Sequence, residues 1–176
     1  MYSAPFEYFR PKTLGEASAL LRKHRDSRIL AGGHSLLPAM KLRLSSPSAL
    51  VDLSGVKGLS GIKAKGKALQ IGAMTVHAEV ASSRLVVKSC PVLAEVASRI
   101  GDLQVRNRGT IGGSLAHADP GADYPTVLAA LEATIVAKGP KGESKIPAAK
   151  FFTDLFTTAL KPGEILTSVV VPAQAK

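Results

Sequence analysis

The chain has 176 residues, 45% of them apolar and 20% charged, which suits one large globular unit or two small lobes with a buried core. A single cysteine, Cys90, excludes an internal disulfide and a cysteine-ligated iron–sulfur or zinc centre within the chain. No apolar run approaches the ~18 residues of a membrane span and no secretory pattern opens the sequence, so a cytoplasmic protein without a transmembrane segment is expected.

The net charge of +10 is lopsided: residues 1–88 carry 14 Lys/Arg against 5 Asp/Glu, and residues 89–176 carry 9 against 8. A basic half suits an acidic partner, a phosphate-bearing ligand or nucleic acid, or is simply a solvated surface. Nucleic acid is disfavoured, because aromatics do not interleave with the Lys and Arg and no binding motif is present.

In chain order, Phe6 and Tyr8 read as a short opening strand. Thr13 and Glu16 stand at capping-box spacing before Leu14, Ala17, Leu20 and Leu21, which predicts a helix ending near His24. Arg28–Ala31 reads as a buried strand running into Gly32-Gly33, Ser35–Leu44 as a helix with Pro38 in its first turn, and Ala49–Leu53 as another strand. Residues 1–55 therefore look like a small βαβ-like lobe. A hairpin is expected across Gly66-Lys67, with Lys63 to Lys67 on its exposed side. Helices are expected from near Thr75 and from Pro91 to Ile100. The segment Asp102–Pro120, rich in Gly, Asn and Arg, reads mostly as loop, with Asp123 capping a helix over Tyr124–Leu131. Strands follow at Thr134–Ala137 and Ile165–Val171, with a Gly-Pro-Lys-Gly turn after Lys138. Residues 56–176 thus form a larger α+β lobe.

Two glycine segments carry the chemistry. In Ala31-Gly32-Gly33-His34-Ser35 a strand leads through paired glycines into a helix, an arrangement that points consecutive backbone N–H groups at a diphosphate. An ordinary tight turn that uses glycine for φ > 0 satisfies the same residues. In Gly109-Thr110-Ile111-Gly112-Gly113-Ser114, paired glycines are again flanked by hydroxyls. Asp123 is placed to accept from ribose hydroxyls as well as to cap its helix. Neither segment is a G-x-G-x-x-G or a P-loop. From the residues alone, the reading is a phosphate-bearing cofactor held between two lobes.

Ala31-Gly32-Gly33-His34-Ser35-Leu36-Leu37-Pro38 with Met40–Leu44, and Arg106-Asn107-Arg108-Gly109-Thr110-Ile111-Gly112-Gly113-Ser114 with Ala118-Asp119-Pro120, resemble the two FAD loops of the medium, FAD-binding subunits of molybdenum hydroxylases. The likeness is to the carbon monoxide dehydrogenase-like enzymes and the xanthine dehydrogenase family. Phe6–Pro11, Ile71–Thr75, Phe151-Phe152 and Lys161–Leu166 extend it over nearly the whole chain. The resemblance implies a two-lobed FAD-binding fold of the vanillyl-alcohol-oxidase (PCMH) type. It implies that Ala31, Gly32, Gly33, His34 and Ser35 wrap the FAD pyrophosphate with backbone N–H groups, His34 shaping the loop without acid–base catalysis. Thr110, Ile111, Gly112, Gly113 and Ser114 do so from the other lobe, and many relatives have Asn where this chain has Ser114. Asp123 binds the ribose or adenine side, and Gly101 and Leu166 line the cofactor. It further implies a molybdenum-binding large subunit that oxidises the substrate, a small subunit whose 2Fe-2S clusters carry electrons to FAD, and activity only with those partners. Family members continue past Val169–Pro172 into a domain absent from these 176 residues, which implies an exposed flavin edge. A non-catalytic FAD-binding module, or a different flavoenzyme on the same fold, would show the same loops.

Overall fold

In the computed structural model, which describes residues 2–174, the chain begins with a parallel sheet. β1 (Glu7–Phe9), β2 (Ser27–Leu30) and β3 (Ala49–Asp52) lie in the order β1-β3-β2, with α1 (Leu14–Lys23) and α2 (Leu36–Lys41) in the connections. Parallel neighbours need such crossovers. Thr13 Oγ1 accepts from the Glu16 N–H at 3.1 Å, and the Glu16 carboxylate accepts from the Lys12 N–H at 2.8 Å. The expected cap is therefore made, with its return arm one residue further back. All four residues of the central strand β3 are buried. The expectation of a buried β2 is corrected: it is an edge strand, half-buried with Arg28 exposed.

The second helix is also shorter than its sequence suggests. Arg43 takes φ 60°, the Leu44 N–H reaches back to the Ala39 carbonyl at 2.9 Å, and the Arg43 N–H reaches Met40 at 3.1 Å. This pair of bonds closes a Schellman turn and ends the helix at Lys41.

Beyond a short 3-10 turn, β4 (Ile62–Lys65) and β5 (Ala68–Gly72) form the expected hairpin, with Lys63 to Lys67 exposed. Then come α3 (His77–Ser82), α4 (Arg84–Ser89) and α5 (Pro91–Arg99), with buried Cys90 at the last joint. The expectation that 102–120 is mostly loop is corrected. The segment contains α6 (Leu103–Arg106) and α7 (Ile111–His117). Asp102 accepts from the Val105 N–H at 2.8 Å and Thr110 from the Gly113 N–H at 3.1 Å, so each helix has a side-chain N-cap. Glycine disfavours helix by intrinsic propensity, but at Gly112 it lets α7 seat on the end of β5. A Cβ there would lie 2.6 Å from that of Ala73. In α8 (Asp123–Ala130) the cap position falls on Ala122, and Asp123 is the first helical residue rather than the cap.

β6 (Thr134–Gly139), β7 (Gly142–Pro147), β8 (Phe152–Asp154), β9 (Thr157–Thr158) and β10 (Ile165–Val171) complete the chain. The larger sheet has the antiparallel order β4-β5-β10-β6-β7, so the last strand is inserted at its centre. One face carries Leu69, Ile71, Ile135 and Val169 into a core with Leu93, Ile111, Leu115, Tyr124 and Leu128 from the helices. This segregation of helices from an antiparallel sheet is an α+β arrangement. A second cluster joins the two sheets: Ile165 of β10 packs with Ala17, Val51, Leu53, Val56 and Leu59.

Ile165 is 1% exposed, and truncating it removes contacts on both sides of that junction. Ile165→Ala is expected to cost about 2–4 kcal/mol of unfolding free energy in urea melts, whereas Val87→Ala on the exposed face of α4 should stay within about 0.5 kcal/mol. Equal losses at the two positions would contradict this assignment of the core.

Candidate functional site

β2 ends at Leu30, and the chain turns through Ala31–Ser35 before α2 begins. The turn depends on Gly33, whose φ of +81° is a conformation that side-chain-bearing residues rarely adopt. The N–H groups of Gly32, Gly33, His34, Ser35 and Leu36 find no acceptor among the described residues. Ala31, Gly32 and Gly33 are half-buried, while His34 and Ser35 are exposed. Five consecutive unpaired donors at the mouth of a helix require water or an anion to satisfy them.

The second segment is built differently. The Ile111 N–H donates to Thr75 at 3.0 Å, that of Gly112 to Ala73 at 2.8 Å, that of Gly113 to Thr110 Oγ1 at 3.1 Å and that of Ser114 to the Thr110 carbonyl at 3.0 Å. The expectation of a second row of free N–H groups is therefore corrected, because the Ile111 and Gly112 amides dock α7 beside β5 and those of Gly113 and Ser114 are taken up by the Thr110 cap. What remains on this side is the Thr110 N–H, which has no acceptor among the described residues, and the hydroxyls of Thr110 and half-buried Ser114.

The structure brings the two segments into contact. A Cβ built on Gly32 would lie 2.2 Å from the Arg108 carbonyl oxygen and 2.7 Å from Gly109 Cα. One built on Gly113 would lie 3.4 Å from the Ala31 Cβ. Glycine at position 32 is thus needed for a backbone-to-backbone approach that no side chain permits.

Two residues that carried no sequence signal stand behind this contact. His77 opens α3 and is 4% exposed. Its Nδ1 lies 3.2 Å from the hydroxyl of fully buried Tyr124. Burial, with a smaller contribution from the charge of His34, pushes the His77 imidazole down to about 4. Burial also pushes the Tyr124 phenol well up. At neutral pH both are uncharged, and one hydrogen bond joins them.

The other expected residues are placed as follows. Ile111 is fully buried under α7. Asp123 is exposed at the start of α8. Gly101, also exposed, takes φ +53°, and the Arg106 guanidinium donates to its carbonyl at 2.9 Å. Leu166 belongs to the helix-side core next to a bulge in β10, its side chain buried and its residue paired with Ala137 of β6. No group of three or more His, Cys, Asp and Glu side chains among the described residues could hold a metal ion. An open groove of about 450 Å³ lies elsewhere, on the outer face of the larger sheet. Lys57, Lys63, Lys65 and Lys138 line it, and none of the glycine-segment residues does.

The geometry of paired glycine segments has close counterparts. Residues 4–174 match the family model described as the FAD binding domain in molybdopterin dehydrogenase. The chain is 48% identical over 172 residues to the carbon monoxide dehydrogenase medium chain of Hydrogenophaga pseudoflava, covering 97% of this chain and 60% of that one. It is 42% identical over 168 residues to the 6-hydroxypseudooxynicotine dehydrogenase complex subunit alpha of Paenarthrobacter nicotinovorans, covering 95% and 57%. Among solved structures, carbon monoxide dehydrogenase from Hydrogenophaga pseudoflava lacking the Mo-pyranopterin moiety superposes with a TM-score of 0.98 over 99% of this chain and 61% of that one. The chain thus spans about three-fifths of the length of the relatives it matches.

The buried neutral His77 has a consequence for stability. Its folded-state pKa of about 4 lies below the ordinary histidine value of 6.5, so between those values the unfolded chain binds the proton more readily. The stability that neutral His77 supports is therefore complete above pH 6.5 and is lost as pH falls. By pH 5 the loss should reach about 1–2 kcal/mol. Urea melts from pH 7 to pH 5 should show this slope in the wild type and a flatter one in His77→Asn. Parallel slopes would contradict it.

Proposed function

The chain belongs to the family of FAD-binding domains found in molybdopterin dehydrogenases, and on that premise we propose that it holds FAD across its two glycine segments as the flavoprotein part of a molybdenum hydroxylase. The observation that carries the reading is the run of unpaired N–H groups from Gly32 to Leu36, set directly against the Arg108–Gly109 backbone. A diphosphate satisfies those donors, and its negative charge favours the start of a helix.

In this reading the first segment grips the diphosphate through the N–H groups of Gly32, Gly33, His34 and Ser35, with Ala31 shaping the turn. Thr110 contributes its N–H and hydroxyl from the opposite side, and Ser114 its hydroxyl. Ile111, Gly112 and Gly113 keep that side close. Asp123, exposed and acceptor-only when ionised, suits ribose hydroxyls. Gly101 and Leu166 line the remainder. The fold is of the PCMH type, with a lobe of residues 1–55 and another of 56–176 closing on the cofactor.

When bound, FAD supplies redox chemistry that accepts and delivers one or two electrons. The chain's residues bind it, orient it and exclude water from its diphosphate. With one cysteine, the chain has no ligand set for a 2Fe-2S cluster. By its likeness to that family, we read the electron donor as a small 2Fe-2S subunit, fed in turn by a molybdenum-binding large subunit that selects the substrate. The likeness to medium chains of carbon monoxide dehydrogenase supports this assembly, whose setting we read as cytoplasmic; no helix among the described residues is long and apolar enough to cross a membrane.

The test is retention of flavin. The purified chain is mixed with FAD and desalted, and its visible spectrum is compared with those of Gly33→Asp and Gly113→Asp. The wild type should keep flavin. Gly33→Asp strains a φ of +81° and sets a carboxylate against the diphosphate, and Gly113→Asp meets Thr110 Oγ1 2.8 Å from its Cβ. Each should weaken binding at least tenfold, the equivalent of ~1.4 kcal/mol. Flavin bound equally by all three proteins would overturn the site.

A further inference from the structure

We propose that His77, acting through its hydrogen bond to Tyr124, is the positioning residue that holds the second glycine segment against the first. The consequence for cofactor affinity rests on the FAD reading above, but the positioning role itself does not.

The residues form a continuous wedge. Thr75 to His77 and Gly109 to Ile111 run antiparallel: the His77 N–H donates to the Gly109 carbonyl at 3.0 Å, the Ile111 N–H donates to Thr75 at 3.0 Å, and Val76 and Thr110 form a bridge between them. The His77 ring then occupies the space in which residue 109 would carry a side chain. A Cβ on Gly109 would lie 2.7 Å from Nε2 and 2.9 Å from Cδ2. On its other edge the ring meets Tyr124, with centroids 5.4 Å apart and the 3.2 Å hydrogen bond between Nδ1 and the hydroxyl. Gly109 in turn lies against Gly32. Contact therefore runs from Tyr124 in α8 through His77 and Gly109 to the first segment.

An aliphatic side chain would fill the same volume at lower desolvation cost. A buried His–Tyr pair adds direction, because the hydrogen bond fixes the tilt of the ring and the ring fixes where Gly109 sits. Thr110 follows immediately and caps α7, so its hydroxyl and N–H are aimed by the same wedge. Nothing in this arrangement has His77 touch a cofactor.

The decisive experiment is amide hydrogen exchange on the chain without flavin, in wild type, His77→Ala, His77→Asn, Tyr124→Phe and the His77→Ala/Tyr124→Phe pair. Asn keeps a polar atom near the Nδ1 position. In His77→Ala, exchange at Ile111 to Gly113 should rise about tenfold relative to Val169 in the central strand. Asn should restore most of the protection, and Tyr124→Phe should add nothing once His77 is removed. FAD affinity, measured by flavin fluorescence, should fall about tenfold in His77→Ala and recover in His77→Asn. An increase spread evenly over Val169 and the core, or an Asn variant no better than Ala, would overturn the proposal and leave His77 as ordinary packing. A wild type that binds no FAD would overturn the cofactor reading instead, and the exchange pattern would still decide the positioning role.

Discussion

Everything at the site depends on one close approach: the backbone at Gly32 passes the Arg108 carbonyl and Gly109 Cα so tightly that not even a methyl group fits between them. The contact joins a turn leaving a parallel sheet to a turn entering the helices of an antiparallel one. It is polar backbone against polar backbone, and so brings little hydrophobic stabilisation of its own. The holding force comes from either side. Ile165 anchors the sheets to each other through the second apolar cluster, and the His77–Tyr124 pair supports Gly109 from behind. A cofactor seated across the contact thus meets a gap whose width is set by packing at some distance from it.

The two sides of that gap do different work. The first segment leaves its N–H groups unpaired in a run, and the N-terminal half of the chain carries most of the positive charge. Both features favour an anion, the first by direct hydrogen bonding and the second by a longer-range field that salt screens. The second segment has committed its amides from Ile111 to Ser114 to docking and capping α7, and offers hydroxyls and one N–H. Rigidity on one side and open donors on the other suit a diphosphate gripped from one face and located from the other.

Much of the fold is legible in the residues where local chemistry agrees with the tertiary structure. The Thr13 cap, the Gly66-Lys67 hairpin and the apolar strand Ile165–Val171 announce themselves by capping, turn and β-branched patterns. The stretch around Gly109 to Ser114 does not. Its glycines read as loop, and only the Thr110 cap and the fit of Gly112 against Ala73 make it a helix. The fate of the Ile111 and Gly112 amides is not legible either, since their acceptors, Thr75 and Ala73, lie more than thirty residues away in sequence. Asp123 looked like a cap because its type is right, yet the helix starts one residue earlier. His77 left no trace in sequence, because a lone histidine near a helix start says nothing about the glycine beneath it. The unpaired N–H groups of the first segment, in contrast, follow from a strand, a φ-positive glycine and a helix in immediate succession, which the sequence displays.

The central claim is that the open amides of the first segment receive the cofactor. It is tested most directly by titrating FAD into the ¹⁵N-labelled chain and following backbone amide shifts. The account predicts the largest changes at Gly32 to Leu36, with smaller ones at Ile111 to Ser114, whose N–H groups are already bonded within the chain. Shifts concentrated in the lysine-lined groove at Lys57, Lys63 and Lys138, with Gly32 to Leu36 unmoved, would contradict it.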